Sequence, residues 1–362
     1  MLLTYKYRIK ERSAAKRLRQ HAFAVNQVWN YCTSCQKDLE QRYRAGAAQR
    51  KWPSHFDLQK LTKGTSKELG IHAQTIGSVC QQFAKSRDKA RHSLKFRIST
   101  GVKRSLGWIP FQQQSRQLDD NSLIYLGKRY RWFGNKRRPL PDTAKGGAFV
   151  EDASGRWWVC FHVEVNELPT GKGQIGIDLG LKTLATCSDG IKIPALQHYR
   201  KYEQKLAIAQ RAGNKRRVKA IHAKIANARR DQIHKATCQI ANDNGLIAVG
   251  NVSSTKLART QMAKSVLDAS WAMFRIQLRY KASRHGAIYF DIDERFTTQT
   301  CSGCGCIAGP RGCAGLNERE WICDGCGVSH DRDVNSAVNI LSLALSAQRR
   351  GDESRCPRES GD

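Results

Sequence analysis

The chain has 362 residues, enough for two or three domains, and its 62 Lys+Arg against 31 Asp+Glu give a formal net charge of +31. Such an excess opposes compaction unless a polyanion neutralises it, which favours nucleic acid over an anionic membrane as the partner. No apolar run approaches the roughly 18 residues of a membrane-spanning helix, and the first ten residues alternate like a charged strand rather than a signal peptide. We therefore expect a cytoplasmic protein without membrane contact.

The N-terminal half is predicted to combine strands with basic helices. Residues 1–10 alternate like a strand, and residues 11–103 are mostly helical, with Leu18, Val25 and Val28 at helical spacing. Residues 104–170 are rich in aromatic and β-branched residues and contain an Asp-Ala-Ser-Gly turn, which is typical of antiparallel strands. We expect a small β-barrel, a frequent platform for nucleic acid, interrupted by a helical segment.

The C-terminal half has the pattern of an α/β domain. The segment Pro-Thr-Gly-Lys-Gly at 169–173 marks a boundary, and two tightly joined strands follow it. Residues 199–240 form a long basic helical stretch, whose scarcity of acids favours a phosphate-facing surface over a merely solvated one. Residues 245–250 and 287–294 are predicted to be neighbouring parallel strands. A helix over 331–345 and a disordered tail end the chain.

Two copies of one cysteine pattern, "CSGCG" at 301–305 and "CDGCG" at 323–327, predict a zinc site. The spacing between them is typical of zinc ribbons, and the glycines let the backbone fold tightly around sulfur. Four thiolates complete a tetrahedral site with no open position, so we expect a structural zinc ion rather than a catalytic one. The predicted ligands are Cys301, Cys304, Cys323 and Cys326.

The remaining cysteines are not predicted to form disulfides, because the total of 13 is odd and no secretory signal is present. Cys306 and Cys313 lie near the zinc ligands and are expected to be spectators. The C-x2-C spacing of Cys32 and Cys35 is treated as coincidence, and Cys356 lies in the polar tail. Apolar surroundings predict buried thiols for Cys80, Cys160, Cys187 and Cys238.

Acidic residues at two separated positions need a cation or another partner. Asp178 lies in the predicted buried strand Ile-Gly-Ile-Asp-Leu-Gly, and Asp331 and Asp333 lie at the start of the last helix. A helix cap explains one of the last two but does not so easily explain both. Acids on a strand and at a helix start suit two magnesium ions, which can activate a water and stabilise the leaving oxygen in phosphodiester hydrolysis.

Several stretches together resemble the TnpB family, transposon-encoded RNA-guided nucleases related to type V CRISPR effectors. The most specific are "GIDLGLKTLATCSDG", "TTQTCSGCG" and "WICDGCGVSHDRDVNSAVNIL", and "RPLP" and "GRWWVCFHVEV" add less specific support. The resemblance covers nearly the whole chain. It implies a multidomain α+β and α/β protein, with an N-terminal wedge-like β-barrel that holds a helical recognition insert. It further implies a C-terminal RuvC-like RNase H fold with an inserted zinc ribbon.

The expected domains follow from this resemblance. They are the barrel over 1–10 and 104–170, the helical insert over 11–103, the RuvC-like nuclease over 171–296 and 330–345, the zinc ribbon over 297–329, and a disordered tail over 346–362. On the same resemblance, Asp178 is the first catalytic acid and Asp333 the last, with Asp331 as the fallback. The implied partners are a structured guide RNA from the transposon end and a double-stranded target DNA, which the guide pairs with beside a short motif.

The common family pattern has a Glu where Gly250 stands, so either the site is inactive or another acid replaces it. Glu294 ends the neighbouring predicted strand, and strands only about 4.8 Å apart let its side chain reach the same site, as in a subset of the family. Asp291 and Asp293 are competitors, but alternation along the strand points both away from the side taken by Glu294. The predicted catalytic and magnesium-binding residues are therefore Asp178, Glu294 and Asp333.

We predict an RNA-guided DNA endonuclease that hydrolyses phosphodiester bonds of its target with two magnesium ions. A nuclease-inactive RNA-guided DNA-binding repressor is the main alternative. The missing Glu at position 250 favours it, whereas three buried acids, which a repressor does not need, disfavour it. A zinc-dependent transcription factor without RNA and a transposase with its own strand-transfer activity are weaker alternatives.

Overall fold

The structure is a computed structural model that describes residues 1–10, 12–47, 52–90, 93–112, 118–119, 121–134, 139–252, 269–311, 315 and 318–351. The predictions for Cys313, Cys356 and the tail beyond residue 351 lie outside the described residues. The chain divides into two compact units, unit 1 (Met1–Val165) and unit 2 (Asn166–Asp362). The finer domain boundaries stay predictions. Among the described helices, none is both long and apolar enough to cross a membrane.

Unit 1 contains two antiparallel sheets and a group of helices. Its described strands are β1 (Leu2–Arg8), β2 (Trp108–Phe111), β3 (Leu118–Asp119), β4 (Ser122–Tyr125), β5 (Lys128–Arg131), β6 (Ala144–Glu151) and β7 (Trp157–Glu164). Its described helices are α1 (Arg12–Arg44), α2 (His55–Leu61), α3 (Ser66–Leu69) and α4 (Ala73–Lys89). One sheet has the order β1-β7-β6-β2 and the other the order β3-β4-β5. Closure of these strands into a barrel stays a prediction.

The core of unit 1 joins the larger sheet to the helices. Tyr5 and Tyr7 of β1 are buried, whereas Lys6 between them faces solvent, as expected of a strand with one face on a core. Both tyrosines belong to the same apolar cluster as Leu18 and Val25 of α1. The helical apolar face predicted for the first helix is therefore confirmed.

Unit 1 also buries one acid, Glu151, at the end of β6. Its carboxylate accepts hydrogen bonds from both Nη atoms of Arg104 at 2.7 Å and from the backbone N–H of Gly107 at 3.1 Å. Arg19 adds an ion pair at 3.5 Å. Burial alone would raise the pKa of Glu151, but these partners hold it below the ordinary value. The charge of this acid is therefore satisfied within the fold.

Unit 2 is built on a five-stranded mixed sheet. Its described strands are β8 (Gly173–Leu179), β9 (Thr183–Cys187), β10 (Lys192–Pro194), β11 (Asn244–Gly250), β12 (Ile288–Ile292), β13 (Glu320–Ile322) and β14 (Ser329–Asp331). Its described helices are α5 (His198–Arg211), α6 (Lys215–Asp243), α7 (Trp271–Arg284) and α8 (Arg332–Arg349). The sheet order is β10-β9-β8-β11-β12, and β13 pairs only with β14.

One strand of this sheet, β9, runs opposite to the other four. β9 pairs antiparallel with both β8 and β10, whereas β11 is parallel to β8 and to β12. The predicted parallel pairing of 245–250 with the later strand is therefore confirmed. However, β12 ends at Ile292, so Glu294 lies two residues past the strand rather than at its end.

Helices cover the two faces of the sheet. α6 and α7 pack against the face that carries Ile177, and α8 packs against the opposite face, which carries Ala248. Gly176 permits the close approach of α8, because a Cβ there would lie 2.1 Å from the carbonyl oxygen of Ala337. The start of α8 is thereby held against the strand that carries Asp178.

Two predicted helical segments differ in detail from the structure. The stretch 199–240 is two helices, because Gly213 adopts a φ of +62° and Asn214 caps α6 by accepting a hydrogen bond from the backbone N–H of Arg217. At the other end, α8 continues to Arg349, so the disorder predicted for 346–349 is wrong. The helix continues because its later turns still pack on the apolar cluster of the sheet.

The isolated cysteines divide into two groups. Cys80 and Cys187 are buried, as predicted, but Cys160 and Cys238 are only half-buried. Cys160 is more accessible because it pairs with the outward-facing Lys6 on the sheet surface away from the core. Apolar neighbours along the chain therefore did not suffice to predict burial at a surface position.

Candidate active site and cysteine site

The four predicted zinc ligands come together between β12 and α8. The Sγ atoms of Cys301, Cys304, Cys323 and Cys326 all lie within 4.8 Å of one another. The Sγ atoms of Cys301 and Cys326 are 3.7 Å apart, and those of Cys304 and Cys323 are 3.6 Å apart. Within the described part of the chain, this is the one group of metal-binding side chains that close together. Four sulfur donors fit a tetrahedral zinc ion and leave no position for a substrate.

Two neighbours surround this cysteine cluster. His330 Nε2 lies 3.0 Å from Cys301 Sγ, and its ring packs on Trp321 with 4.7 Å between ring centroids. A hydrogen bond to a metal-binding thiolate orients it and tunes the site. Cys306 is exposed and lies outside the four-sulfur cluster, while its carbonyl oxygen accepts a hydrogen bond from the backbone N–H of Cys301.

Asp178 lies near the end of β8, on the sheet face that α8 covers. Ser336 of α8 donates a hydrogen bond to its Oδ1 at 3.1 Å. Loss of water from the carboxyl, the negative charge of Asp333 and, to a smaller extent, that of Glu294 raise the pKa of Asp178 to about 7. The hydrogen bond from Ser336 and the charge of Arg332 offset this only in part. An added divalent cation at this position would relieve the excess of negative charge.

Asp331 is the N-cap of α8. Its Oδ1 accepts hydrogen bonds from the backbone N–H groups of Asp333 and Val334, each at 3.0 Å, and its Oδ2 accepts one from Lys192 at 2.6 Å. Loss of water would raise the pKa of Asp331, but Lys192 and the capped amides hold it below the ordinary value. The helix cap therefore explains why an acid is present at Asp331, but it does not explain the acid at Asp333.

Asp333 lies in the first turn of α8 and is held by two arginines. Arg319 Nη1 donates to its Oδ2 at 2.6 Å, and Arg332 donates to its Oδ1 from Nε at 3.2 Å and from Nη2 at 3.1 Å. Arg319 also accepts a backbone hydrogen bond from Arg332, which fixes the two arginines relative to each other. Sequence reasoning missed both, because arginines are frequent throughout this chain and neither belongs to an acid motif.

Glu294 occupies the space that a side chain at position 250 would need. A Cβ built on Gly250 would lie 3.0 Å from Glu294 Oε2 and 3.3 Å from Cδ1 of Ile340. Gly250 lies beside Asp178 in the sheet, because the preceding residue of β11 pairs with Ile177. Loss of water and the charge of Asp293 raise the pKa of Glu294, and Arg275 offsets this in part. The side chain of Glu294, which comes from beyond β12, therefore fills the space that the missing side chain at position 250 leaves.

The competing acids lie elsewhere. Asp291 forms an ion pair with Arg279 of α7 and accepts a hydrogen bond from the hydroxyl of Tyr289 at 3.0 Å. Asp293 is exposed and pairs with Arg295. Asp291 therefore lies on the α7 side of β12, away from the α8 face, as alternation along the strand predicted, whereas Asp293 lies past the end of the strand.

The three predicted acids share this region without forming a closed cage. Asp178, Glu294 and Asp333 are each half-buried rather than buried, which leaves the site open to a substrate. The charges of Glu294 and Asp333 both act on Asp178. Their oxygens do not all lie within 4.8 Å of one another, in contrast to the four sulfur atoms of the cysteine cluster. Magnesium keeps waters and phosphate oxygens among its ligands, so carboxylates that bind it do not have to form a closed group.

A pair of buried hydroxyl groups links two of these acids. The Ser336 hydroxyl that donates to Asp178 lies 2.9 Å from Oγ1 of Thr297, and Thr297 donates to the backbone carbonyl of Glu294 at 2.8 Å. Ser336 and Thr297 are almost completely buried. Their chain of contacts fixes the turn that carries Glu294 against the strand that carries Asp178. No sequence signal pointed to them, because isolated Ser and Thr residues are common.

Two amides of α8 hold the same turn. Asn335 and Asn339 each donate to the backbone carbonyls of Thr297 and Thr300, at distances from 2.7 to 3.2 Å. The Oδ1 of Asn335 also accepts a hydrogen bond from the backbone N–H of Ser302, within the first cysteine knuckle. α8 therefore positions both the glutamate turn and the start of the cysteine module.

Family models match two adjoining parts of the chain. The OrfB_IS605 family, described as "Probable transposase", matches residues 158–261, and the "Cas12f1-like, TNB domain" matches residues 271–340. The second match covers the glutamate turn, the cysteine module and the start of α8. These are the elements whose geometry defines the two candidate sites.

Whole-length relatives agree with these matches. A Streptomyces pristinaespiralis protein named as an RNA-guided DNA endonuclease is 34% identical, over 88% of this chain and 81% of its own length. Escherichia coli (strain K12) InsQ, also named as an RNA-guided DNA endonuclease, is 28% identical over 80% of this chain and 77% of its own length. A solved Cas12f1–sgRNA–target DNA complex has 16% identity and a TM-score of 0.38, covering 95% of this chain and 100% of that one.

The two relatives from Streptomyces pristinaespiralis and Escherichia coli belong to the class of proteins named as RNA-guided DNA endonucleases. At 34% identity over most of both chains, the relationship is close enough to place the protein. The chain belongs to the TnpB family.

Proposed function

We propose that this chain is an active RNA-guided DNA endonuclease whose catalytic acids are Asp178, Glu294 and Asp333. The observation that carries the proposal is the position of the Glu294 carboxylate, 3.0 Å from where a side chain at Gly250 would begin. An acid drawn from a neighbouring strand thus fills the place of the one missing from β11. A protein that only bound DNA would have no physical need to refill that place with a carboxylate.

The topology of unit 2 supports a RuvC-like nuclease of the RNase H fold. Its first three strands form an antiparallel meander, and the last two strands lie parallel to the first on its other side. Asp178 and Glu294 lie at or beyond the C-terminal ends of parallel strands, and Asp333 lies at a helix start beside them. Ligand sites in open sheets favour this edge.

The residues present fit divalent cations such as magnesium, because the charges of Asp333 and Glu294 both act on the carboxylate of Asp178 and carboxylate oxygens are the ligands that magnesium prefers. When bound, the ions would activate a water and stabilise the leaving oxygen. Asp178, Glu294 and Asp333 would hold them. Ser336 and Thr297 keep the first two carboxylates in place, and Arg319 lies close enough to Asp333 to contact a phosphate that enters there.

RNA and DNA are the partners in this proposal. The net charge of +31 suits a resident polyanion, and the names of the two relatives that match most of this chain describe RNA guidance and DNA cleavage. Base pairing between a guide and the target strand would supply sequence specificity, beside a short motif read by the protein. We further propose that the guide derives from the transposon end and that the cysteine cluster holds structural zinc.

The nuclease-inactive repressor is the second candidate. Two observations favour it, namely the glycine at position 250 and the two arginines that hold Asp333. Both candidates require RNA, so RNA binding alone does not separate them. Magnesium-dependent cleavage of target DNA separates the two candidates.

The test is cleavage of target DNA by the complex purified from cells, with the target designed from its sequenced RNA. We expect Glu294→Gln to abolish cleavage without loss of bound RNA, and the neighbouring exposed Asp293→Asn to cleave normally. In the double variant Gly250→Glu/Glu294→Gly, the carboxylate returns to β11 and cleavage should partly recover. Full cleavage by Glu294→Gln would overturn the assignment, and an inactive wild type that still binds its target would support the repressor.

A further inference from the structure

α5 and α6 form a helical hairpin whose outer half stands apart from the sheet of unit 2. Leu206 of α5 and Ile221 and Ile225 of α6 are buried in an apolar cluster of their own. The later part of α6, from Ile233 onward, joins the separate cluster that covers the sheet. The segment 198–230 therefore has an apolar seam of its own and a large exposed surface.

The charge of this hairpin is almost entirely of one sign. Residues 198–230 contain eleven Lys and Arg residues and a single acid, Glu203. One acid can neutralise only one or two of these cations, so most of the charge is left to solvent or to a partner. Exposed helices of folded proteins usually mix both signs, because i,i+4 pairs stabilise them and like charges at that spacing destabilise them.

The first turns of α6 show that this charge works against the helix. The exposed cations of its first half are Lys215, Arg216, Arg217, Lys219, Lys224 and Arg230. Three of them lie in the first turn, where no acid is present and where the helix dipole favours negative charge. A row of cations in the least favourable position indicates selection for an external anion rather than for helix stability.

The surface chemistry identifies the kind of anion. Tyr199 and Tyr202 are half-buried against the apolar seam, and His222 is the one exposed aromatic ring between 198 and 230, so little surface is available for stacking on bases. Between 198 and 230, a range the structure describes in full, Ile208 is the one large apolar side chain that is exposed. A membrane or protein partner would need a broader apolar face. What remains is contact with the phosphate backbone of a nucleic acid.

We propose that the α5–α6 hairpin is a phosphate-backbone clamp for the RNA that this protein carries. This inference rests on the proposed function, and it adds the surface that holds the RNA. The cations from Arg216 to Arg230 span about 21 Å at 1.5 Å per residue, comparable to about six phosphates along one strand of a duplex. RNA is favoured over DNA because a guide stays bound, whereas target DNA would neutralise these charges only while the substrate is present.

The test measures salt dependence of RNA binding by the full chain. The probe is the RNA recovered from the wild-type protein purified from cells, labelled and rebound to RNA-stripped protein over a range of salt. The hairpin variant is Arg216→Gln/Arg217→Gln/Lys219→Gln/Lys224→Gln. Because each lost phosphate contact reduces the slope of log K against log salt by about 0.7 to 0.9, we expect a slope shallower by about 3.

A control variant separates a local effect from one of total charge. It removes four exposed cations of unit 2 outside the hairpin, as Lys172→Gln/Lys182→Gln/Arg311→Gln/Arg349→Gln. We expect its slope to change by less than about 1. Both variants should keep the zinc content and circular dichroism of the wild type, and the hairpin variant should melt no earlier, because it relieves repulsion at a helix start.

Three results would overturn the inference in distinguishable ways. Equal slopes for the two variants would show that total charge, not the hairpin, binds RNA. An unchanged RNA slope with a reduced slope for a DNA duplex would assign the hairpin to DNA. Wild-type protein that carries no discrete RNA would remove the proposed function itself, and the hairpin assignment with it.

Discussion

Glu151 in unit 1 and Asp178 in unit 2 are both acids that folding takes out of water, but their surroundings differ. Glu151 accepts hydrogen bonds from Arg104 and from the backbone of Gly107. Asp178 accepts a hydrogen bond from Ser336, and two further acids act on it. The pKa of Glu151 is therefore lowered, whereas that of Asp178 is raised to about 7.

We propose that this difference separates a structural acid, Glu151, from a functional one, Asp178. Burying a carboxylate is costly, and the fold of unit 1 compensates by supplying cations and amides. Unit 2 instead brings the charges of Asp333 and Glu294 to act on the half-buried Asp178, and a bound cation would stabilise this group of carboxylates. The two acids should thus respond in opposite ways to removal, to pH and to magnesium.

The largest effect is expected for Asp178→Asn. Loss of this carboxylate removes a metal-binding group, so we expect cleavage of a guide-matched target to fall on the order of 10³-fold, while RNA stays bound. The rate is measured under single-turnover conditions with saturating magnesium. A variant that retains a tenth or more of the wild-type rate would remove Asp178 from the catalytic set.

Glu151→Gln should reverse this pattern. It leaves the guanidinium of Arg104 without its buried partner, and we expect a loss of about 3 kcal/mol in the unfolding free energy. Urea unfolding, followed by tryptophan fluorescence, measures the change. The control is Glu164→Gln, whose exposed pair with Lys145 is screened by solvent, so the unfolding free energy should stay close to that of the wild type. Equal stabilities would mean that the Glu151 network is not what offsets its burial.

The two acids should also have opposite pH dependence. The folded pKa of Glu151 is below its ordinary value of 4.5, so its stabilising contribution is present above that pH and is lost as the pH falls through the folded value. The folded pKa of Asp178 is above its ordinary value of 3.8, so its contribution is present at low pH and is lost as the pH rises towards 7.

Thermal melting without added magnesium tests this difference. At pH 8, Asp178→Asn should melt above the wild type, and the gap should narrow towards pH 5. Millimolar magnesium should raise the melting temperature of the wild type at pH 8 but not that of the variant, since the ion offsets a charge the variant lacks. A gap that widens as the pH falls would contradict the raised pKa.

How much of this the sequence could predict depends on how local each signal is. The four predicted zinc ligands form a repeated pattern with fixed spacing, and these four cysteines do meet in the fold. Parallel pairing of β11 with β12 followed from two apolar runs joined by one helix. By contrast, the break at Gly213 inside the basic stretch depended on one residue in a left-handed conformation, which the helical composition on either side concealed.

Glu294 illustrates both what the sequence could predict and what it could not. Alternation along the strand predicted that Asp291 points away from the α8 face, and its ion pair with Arg279 of α7 agrees with that prediction. The distance between Glu294 and Gly250 did not follow from the sequence, because β12 ends at Ile292 and the turn beyond it is fixed by Asn335 and Asn339. Contacts between residues distant in the chain, such as these amides and the Ser336–Thr297 pair, leave no pattern in a single sequence.

Ser336→Ala should produce a smaller effect than loss of an acid. The variant removes the hydroxyl that orients Asp178 and contacts Thr297, and loss of such a supporting group commonly costs about 10- to 100-fold in metal affinity. We expect the magnesium concentration for half-maximal cleavage to rise by about tenfold, with less change at saturation. Ser336→Thr should restore it, and the exposed Ser342→Ala should not change it. A lower rate at every magnesium concentration would instead indicate general damage to the fold.

The smallest effect is expected for Asp331→Asn, which tests whether satisfied acids can be spared even beside the active site. Asparagine is as good an N-cap as aspartate, so the bonds to the first turn of α8 survive, and only the ion pair with Lys192 is lost. We expect a cleavage rate within about twofold of the wild type and a stability change below about 1 kcal/mol. Asp333→Asn, two residues away, should abolish cleavage. If Asp331→Asn were inactive as well, a satisfied carboxylate would no longer mark a structural acid, and the distinction between Glu151 and Asp178 would lose its predictive value.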